Sequence, residues 1–169
     1  MFHPVDIFVL DEMDTKVLEA AFYRAFNAGV STKLKGIVSC QTGFDDLRKQ
    51  WRADVLCAGC FDHSRLTAHM AVIITNRDLY IPMLSFVFGL ARRDVNVAIV
   101  SLFRLEDEHH QVVADRLAKE IFHETGHLSG LNHCINSSCV MRYSKTISDV
   151  DLKGIDYCYS CGDRMRSSL

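Results

Sequence analysis

No stretch constrains this chain more than His123-Glu-Thr-Gly-His127-Leu-Ser-Gly130-Leu-Asn-His133, which has the form H-E-x-x-H-x-x-G-x-x-H. Two histidines four apart on a helix project from one face, so both rings can reach a single zinc ion. Glu124 sits beside the first ligand, where it can hold a zinc-bound water. A glutamate in that place can instead only orient a ligand, and both roles stay open at this point. Gly130 permits a positive φ, which ends the helix and turns the chain back. His133 then arrives from outside the helix. Three neutral imidazoles leave the fourth coordination position open, the mark of a catalytic zinc site.

The cysteines form a second pattern. Cys134 follows His133 directly, Cys139 comes next, and Cys158-Tyr-Ser-Cys161 closes the set. Four thiolates at this spacing suit a closed tetrahedral zinc site of structural role, with two disulfides as the rival arrangement. The segment from Leu131 onward has few apolar residues and needs such a staple to fold. Cys57-Ala-Gly-Cys60 reads as free thiols at a helix end, with a local disulfide as the alternative, and Cys40 is left unpaired. His3, His63, His69, His109 and His110 lack ligand spacing and read as surface or core histidines.

A chain of 169 residues can bury one real core, and a charged fraction of 24% against 49% hydrophobic is ordinary for a soluble globular protein. A net charge of -2 gives no electrostatic reason to expect nucleic acid or an anionic membrane as partner. No apolar run approaches the ~20 residues that span a bilayer. Met1 to Leu10 lacks a basic leader and a cleavage site and reads as a first strand. Seven cysteines, an odd number with four at metal spacing, favour a reducing, cytoplasmic setting.

Taken in order, Val5–Leu10 is a buried strand, and Asp14-Thr15 caps a helix through about Asn27. Leu34–Cys40 is a strand. Gly43-Phe-Asp-Asp46 opens a second helix with Leu47, Trp51, Val55 and Leu56 on one face. Ala71–Ile74 is a strand buried on both sides. Pro82 prevents regular pairing near it. Phe86–Leu90 and Val95–Leu102 form a strand pair about Arg92-Arg93-Asp94. Acidic Glu106-Asp107-Glu108 precedes a helix that runs to about Ser129 and carries the first two ligands. The tail from Arg164 reads as frayed.

The long histidine motif followed by Val140-Met141 is the metzincin pattern. Within metzincins, a cysteine fused to the third histidine, a second just before the methionine, and a later C-x-x-C resemble the archaemetzincins. Phe86-Val-Phe-Gly-Leu-Ala91 and Val100-Ser-Leu-Phe-Arg-Leu105 also look like segments of that family. The resemblance implies an α/β, metzincin-like metalloprotease fold: a mixed twisted sheet of about five strands, three main helices and a small zinc-stapled C-terminal part. Residues 1–169 are then a single metallopeptidase domain, divided into 1–130 with the active-site helix and 131–169 with the structural zinc. It implies a peptidase, aminopeptidase in some members, acting on a peptide or protein substrate with two Zn2+ ions. His123, His127 and His133 hold the catalytic one, Cys134, Cys139, Cys158 and Cys161 the other, and Glu124 is general base. Met141 makes an apolar floor under the ligand rings. An edge strand over Ser85–Leu90 pairs with an extended substrate. Met141-Arg-Tyr143 matches the M-x-Y order of metzincins whose tyrosine approaches the metal, a tyrosine on which archaemetzincins do not generally depend; the other reading is a tyrosine packed in the cleft wall. Two readings from other classes compete: a zinc-stabilised binding protein without turnover, which Glu124 argues against, and a nucleic-acid module built on the four cysteines, which the acidic balance argues against.

Overall fold

A computed structural model describes residues 4–27, 32–37, 39–59 and 68–167. Its central sheet begins with Val5–Val9 (β1), whose five residues are all buried. The one acid in that run, Asp6, accepts from the Ala68 N–H at 2.9 Å and lies 3.7 Å from the Lys35 ammonium, which compensates its burial. Thr15–Asn27 (α1) starts where Asp14 Oδ1 accepts from the Lys16 N–H, and buries Val17, Leu18, Ala21 and Ala25. Thr32–Ile37 (β2) runs parallel to β1.

The helix expected from Gly43 begins only at Ala53. Phe44–Asp45 (β3) and Gln50–Arg52 (β4) form a short antiparallel pair before Ala53–Gly59 (α2). Asp45 explains the difference. Its Oδ1 accepts from the N–H groups of Leu47 (3.0 Å) and Arg48 (3.1 Å), giving the backbone a local alternative to helix. Lys49 then takes a φ of 55° and reverses the chain. Leu47, counted on the apolar face, is 98% exposed, and Trp51 instead packs on Phe44 and beneath the Arg77 guanidinium.

Met70–Thr75 (β5) is buried throughout, as its apolar run requires, and Leu79–Tyr80 (β6) pairs with β4. Gly89–Arg92 (β7) and Val97–Ser101 (β8) are antiparallel, turning at Asn96 with φ 53°. Regular pairing on the first arm starts three residues later than expected, because the chain after Pro82 stays irregular up to Phe88. The five-stranded sheet has the order β2-β1-β5-β8-β7, parallel except at the β7 edge.

His110–Leu128 (α3) crosses one face of this sheet beside α1. Ile147–Leu152 (α4) starts at a capping box between Thr146 and Asp149, and Tyr159–Ser167 (α5) ends the described chain. The tail expected to fray from Arg164 is helical to Ser167, and Met165 is buried. The larger core lies between the sheet and α1 and α3 and takes in Val140, Met141, Cys161 and Met165; a smaller one lies under α2 on the opposite face. No helix among the described residues is long and apolar enough to cross a membrane.

Candidate active site

The end of α3 aims the ligands. Gly130 has a φ of +90°, its N–H donates to His127 O (3.0 Å), and the Leu131 N–H donates to Gly126 O (2.9 Å). This is a Schellman stop, which releases the chain sharply after His127 and returns it across the helix end. His133 is thereby brought back beside the first two histidines.

The rings are set by bonds behind them. His123 Nδ1 donates to Val140 O and His127 Nδ1 to Leu131 O, each at 2.8 Å. With the proton on Nδ1, each Nε2 presents a lone pair forward. His127 Nε2 lies 3.1 Å from His123 Nε2 and 3.3 Å from His133 Nε2. Two lone pairs facing one another at this distance repel unless a cation sits between them. A pair of ~2.1 Å zinc–nitrogen bonds at the tetrahedral angle spans about 3.4 Å, so the three atoms fit one zinc ion. Burial holds all three imidazoles neutral by lowering their pKa, His123 most; the Lys153 charge also opposes their protonation.

Glu124 is buried next to the trio, and its Oε2 has no hydrogen-bond partner. Burial raises its pKa well above the carboxylate range, the nearby Glu120 adds to this, and Lys153 counters it. Two glycines make room here. A Cβ on Gly89 would lie 2.7 Å from Glu124 Oε1 and 2.8 Å from Ile99 O. A Cβ on Gly126 would lie 2.3 Å from Met141 Sδ, so the fully buried Met141 packs against the bare backbone of α3. The Cys134 N–H donates to Met141 O (2.9 Å), tying the third-histidine segment to this methionine. Tyr143 is 42% exposed, with its ring 4.8 Å from that of His133.

Cys134, Cys139, Cys158 and Cys161 carry free thiols whose sulfur atoms all lie within 4.8 Å of one another, an arrangement that favours a shared metal over two separate disulfides. Cys134 Sγ and Cys158 Sγ are 3.8 Å apart. Zinc–sulfur bonds of ~2.3 Å at the tetrahedral angle span about 3.8 Å, so this cluster also fits a zinc ion. The backbone N–H of Cys161 is the main cause that lowers the Cys158 thiol to about 7, while burial pushes Cys161 up to about 12. Elsewhere Cys57 is a free, buried thiol raised by desolvation. Cys40 is disulfide-bonded, correcting the expectation of an unpaired thiol, and Cys60 lies outside the described residues. His69, His109 and His110 join no metal-ligating group among the described residues, and His3 and His63 lie outside them.

A cleft of about 580 Å³ opens over the histidines. Leu84 to Ala91 form one wall, His123 and Glu124 the floor, and Tyr143 to Lys145 the other side. Of the edge expected at Ser85–Leu90, all six residues border the cleft, but only Gly89 and Leu90 belong to β7. Phe88 O accepts from the Ser101 N–H, so by antiparallel alternation the peptide groups of Gly89 and Ala91 point away from β8, off the sheet edge. Sequence reasoning placed Gly89 on the cleft edge without its close approach to Glu124, and it missed Gly126, Glu120 and Lys153. A glycine inside a helix, as at Gly126, is a signal of close backbone approach. Lys153 carries no such signal.

Residues 52–167 match the family model described as Peptidase family M54. The archaemetzincin of Pyrococcus horikoshii is 37% identical over 158 residues, 88% of this chain and 83% of that protein, and the archaemetzincin of Pyrococcus abyssi is 35% identical over 160 residues, 89% and 84%. Among solved structures, the archaemetzincin of Methanopyrus kandleri superposes with a TM-score of 0.86 at 27% identity, covering 98% of this chain and 94% of that one. A zinc-dependent peptidase from Methanocorpusculum labreanum gives 0.85 at 26% identity, covering 95% and 99%. With the histidine and cysteine clusters assembled as the sequence motifs require, and with relatives matched over most of their length, this chain belongs to peptidase family M54, the archaemetzincins.

Proposed function

We propose that this chain is a zinc metallopeptidase that hydrolyses peptide bonds at the three-histidine site, with a second, structural zinc in the four-cysteine cluster. The convergence of three Nε2 lone pairs beside a buried carboxylate carries this reading. When bound, the catalytic zinc supplies Lewis acidity, which polarises the scissile carbonyl and makes a water acidic enough to attack near neutral pH. Glu124, held ionised by the cation that the histidines would bind beside it, takes the proton from the attacking water and returns it to the leaving amine. Tyr143, beside His133, would donate a hydrogen bond from its hydroxyl to the oxygen that gains charge. Met141 gives the ligand rings a rigid apolar floor. The free edge at Gly89 and Ala91 receives an extended substrate by strand addition.

We read residues 1–169 as one catalytic unit, with 1–130 carrying the cleft and 131–169 the cysteine staple. The four free thiols favour a reducing, cytoplasmic setting that keeps them available for metal, while the Cys40 disulfide points the other way.

The test is a fluorogenic peptide library with free and blocked N-termini, run on wild type and Glu124→Ala at equal zinc content. The variant should keep its metal and fold and lose about 10²–10⁴-fold in rate. Equal rates would remove Glu124 as the base. A wild type that binds library peptides without cleaving them would favour a zinc-stabilised binding protein. The ratio between free and blocked substrates separates aminopeptidase from endopeptidase action.

A further inference from the structure

Two buried charges next to the active site take no part in the mechanism above. Lys153 is 2% exposed and Glu120 3%, and Lys153 Nζ lies 2.8 Å from Glu120 Oε1. By distance they are an ion pair, although neither atom makes a well-angled hydrogen bond. The attraction depends on separation far more than on angle, so the pairing stands. Glu120 is one turn before Glu124 on α3, and both border the cleft.

The pair spans an informative seam. Lys153 follows α4 and leads directly into a stretch laid along the segment before Met141. The Gly154 N–H donates to Ser138 O (3.1 Å) and the Val140 N–H to Asp156 O (2.9 Å). A Cβ on Gly154 would lie 2.5 Å from Ser138 O, so only glycine allows this approach. Val140 in turn offers the carbonyl that orients His123. From α3, Glu120 thus holds the Lys153–Asp156 stretch, which is bonded to the segment whose Val140 carbonyl orients His123. Across the same seam the Tyr157 hydroxyl donates to Phe122 O at 2.6 Å.

We infer that the buried Glu120–Lys153 pair is a positioning element for the three-histidine site, fixing the Ser138–Met141 segment against α3 so that Val140 O holds the His123 ring in ligating register. The inference rests on the reading of that site as zinc-binding. Lys153 lies outside the cleft lining, and Glu120 borders the cleft with its carboxylate turned to Lys153. Groups that orient metal ligands from behind commonly set metal affinity or activity by about 10–100-fold.

The test replaces both charges at once. Removing one would bury the other unpaired, whereas swapping a whole buried pair for neutral groups of similar size often leaves stability intact. Glu120→Gln with Lys153→Met should therefore fold with a melting temperature near wild type. Its cysteine site should fill normally in a cobalt(II) titration, where thiolate-to-metal bands distinguish it from the histidine site. Affinity at the histidine site should fall about 10–100-fold, and with zinc saturated kcat should fall while KM holds. Wild-type affinity together with wild-type kcat would overturn the inference and leave the pair as packing only. If that double variant does not fold, Glu120→Leu with Lys153→Leu, which also removes both charges, is titrated in the same way, and unchanged histidine-site affinity overturns it equally. Absence of peptide hydrolysis in the wild type would defeat the proposed activity, while the cobalt titration would still decide the role of the pair.

Discussion

Tyr143 is the residue whose role turns most on a single atom. Its ring packs at a tilt of 47° on the His133 imidazole at the mouth of the cleft, and a phenol so placed can either wall the cleft or donate to a developing oxyanion. Tyr143→Phe separates these, since it keeps the ring and removes only the hydroxyl. Loss of an oxyanion donor typically costs ~10²–10³-fold in kcat. We expect a fall of that order at unchanged KM and zinc content in steady-state kinetics; an unaltered kcat would assign Tyr143 to the wall. At this scale the site was legible wherever its chemistry is local in sequence. Helical spacing makes His123 and His127 neighbours, and the Gly130 stop brings back His133. Glu120 and Lys153 were not legible. They are joined only by tertiary packing between α3 and the end of α4, and nothing in the residues around Lys153 distinguishes a buried lysine from a solvated one.

Among the elements, β7 contributes most through the side chain it lacks. Gly89 lets the sheet edge lie directly on the Glu124 carboxylate. Gly89→Ala would place a Cβ against that carboxylate on one side and against the Ile99 carbonyl on the other, and a backbone carbonyl within a sheet cannot yield cheaply. Either the strand or the base must shift, and a misplacement of ~1 Å near the chemistry can cost ~10²-fold in rate. The expected outcome is a loss of that order with metal content unchanged, because no ligand is touched; a variant with wild-type kcat and KM would mean that the edge gives way freely. The sheet itself was readable from continuous apolar runs in β1, β5 and β8, which is how strands buried on both faces look in sequence. The stretch from Gly43 to Arg52 was not. Its apolar residues fall at helical spacing, yet the Asp45 turn and the left-handed Lys49 form a hairpin that periodicity cannot register.

For the molecule as a whole, the histidine and cysteine clusters, each able to hold a metal, share one short piece of backbone. Cys134 directly follows His133, so their Cα atoms are ~3.8 Å apart, and the Cys134 N–H is bonded to Met141 O. Cys139 precedes the residue whose carbonyl orients His123. The cysteine cluster therefore ties down the stretch from Cys134 to Cys139, whose ends adjoin His133 on one side and the Val140 carbonyl that orients His123 on the other. Cys139→Ser should accordingly do more than empty one site. Without its fourth thiolate the cluster loses its closed tetrahedron, the segment from Gly130 to Met141 loosens, and catalytic zinc binding weakens although no residue of the catalytic site has changed. Metal analysis after dialysis should find about two zinc ions per wild-type chain, one for each ligand set, and fewer than about one held tightly by the variant. Peptide hydrolysis should fall in parallel and recover only in part when zinc is added in excess, since added metal refills a loosened site without restoring its geometry. A variant that loses a single zinc yet keeps wild-type activity and tight binding of the other would mean that the sites act independently despite the backbone they share.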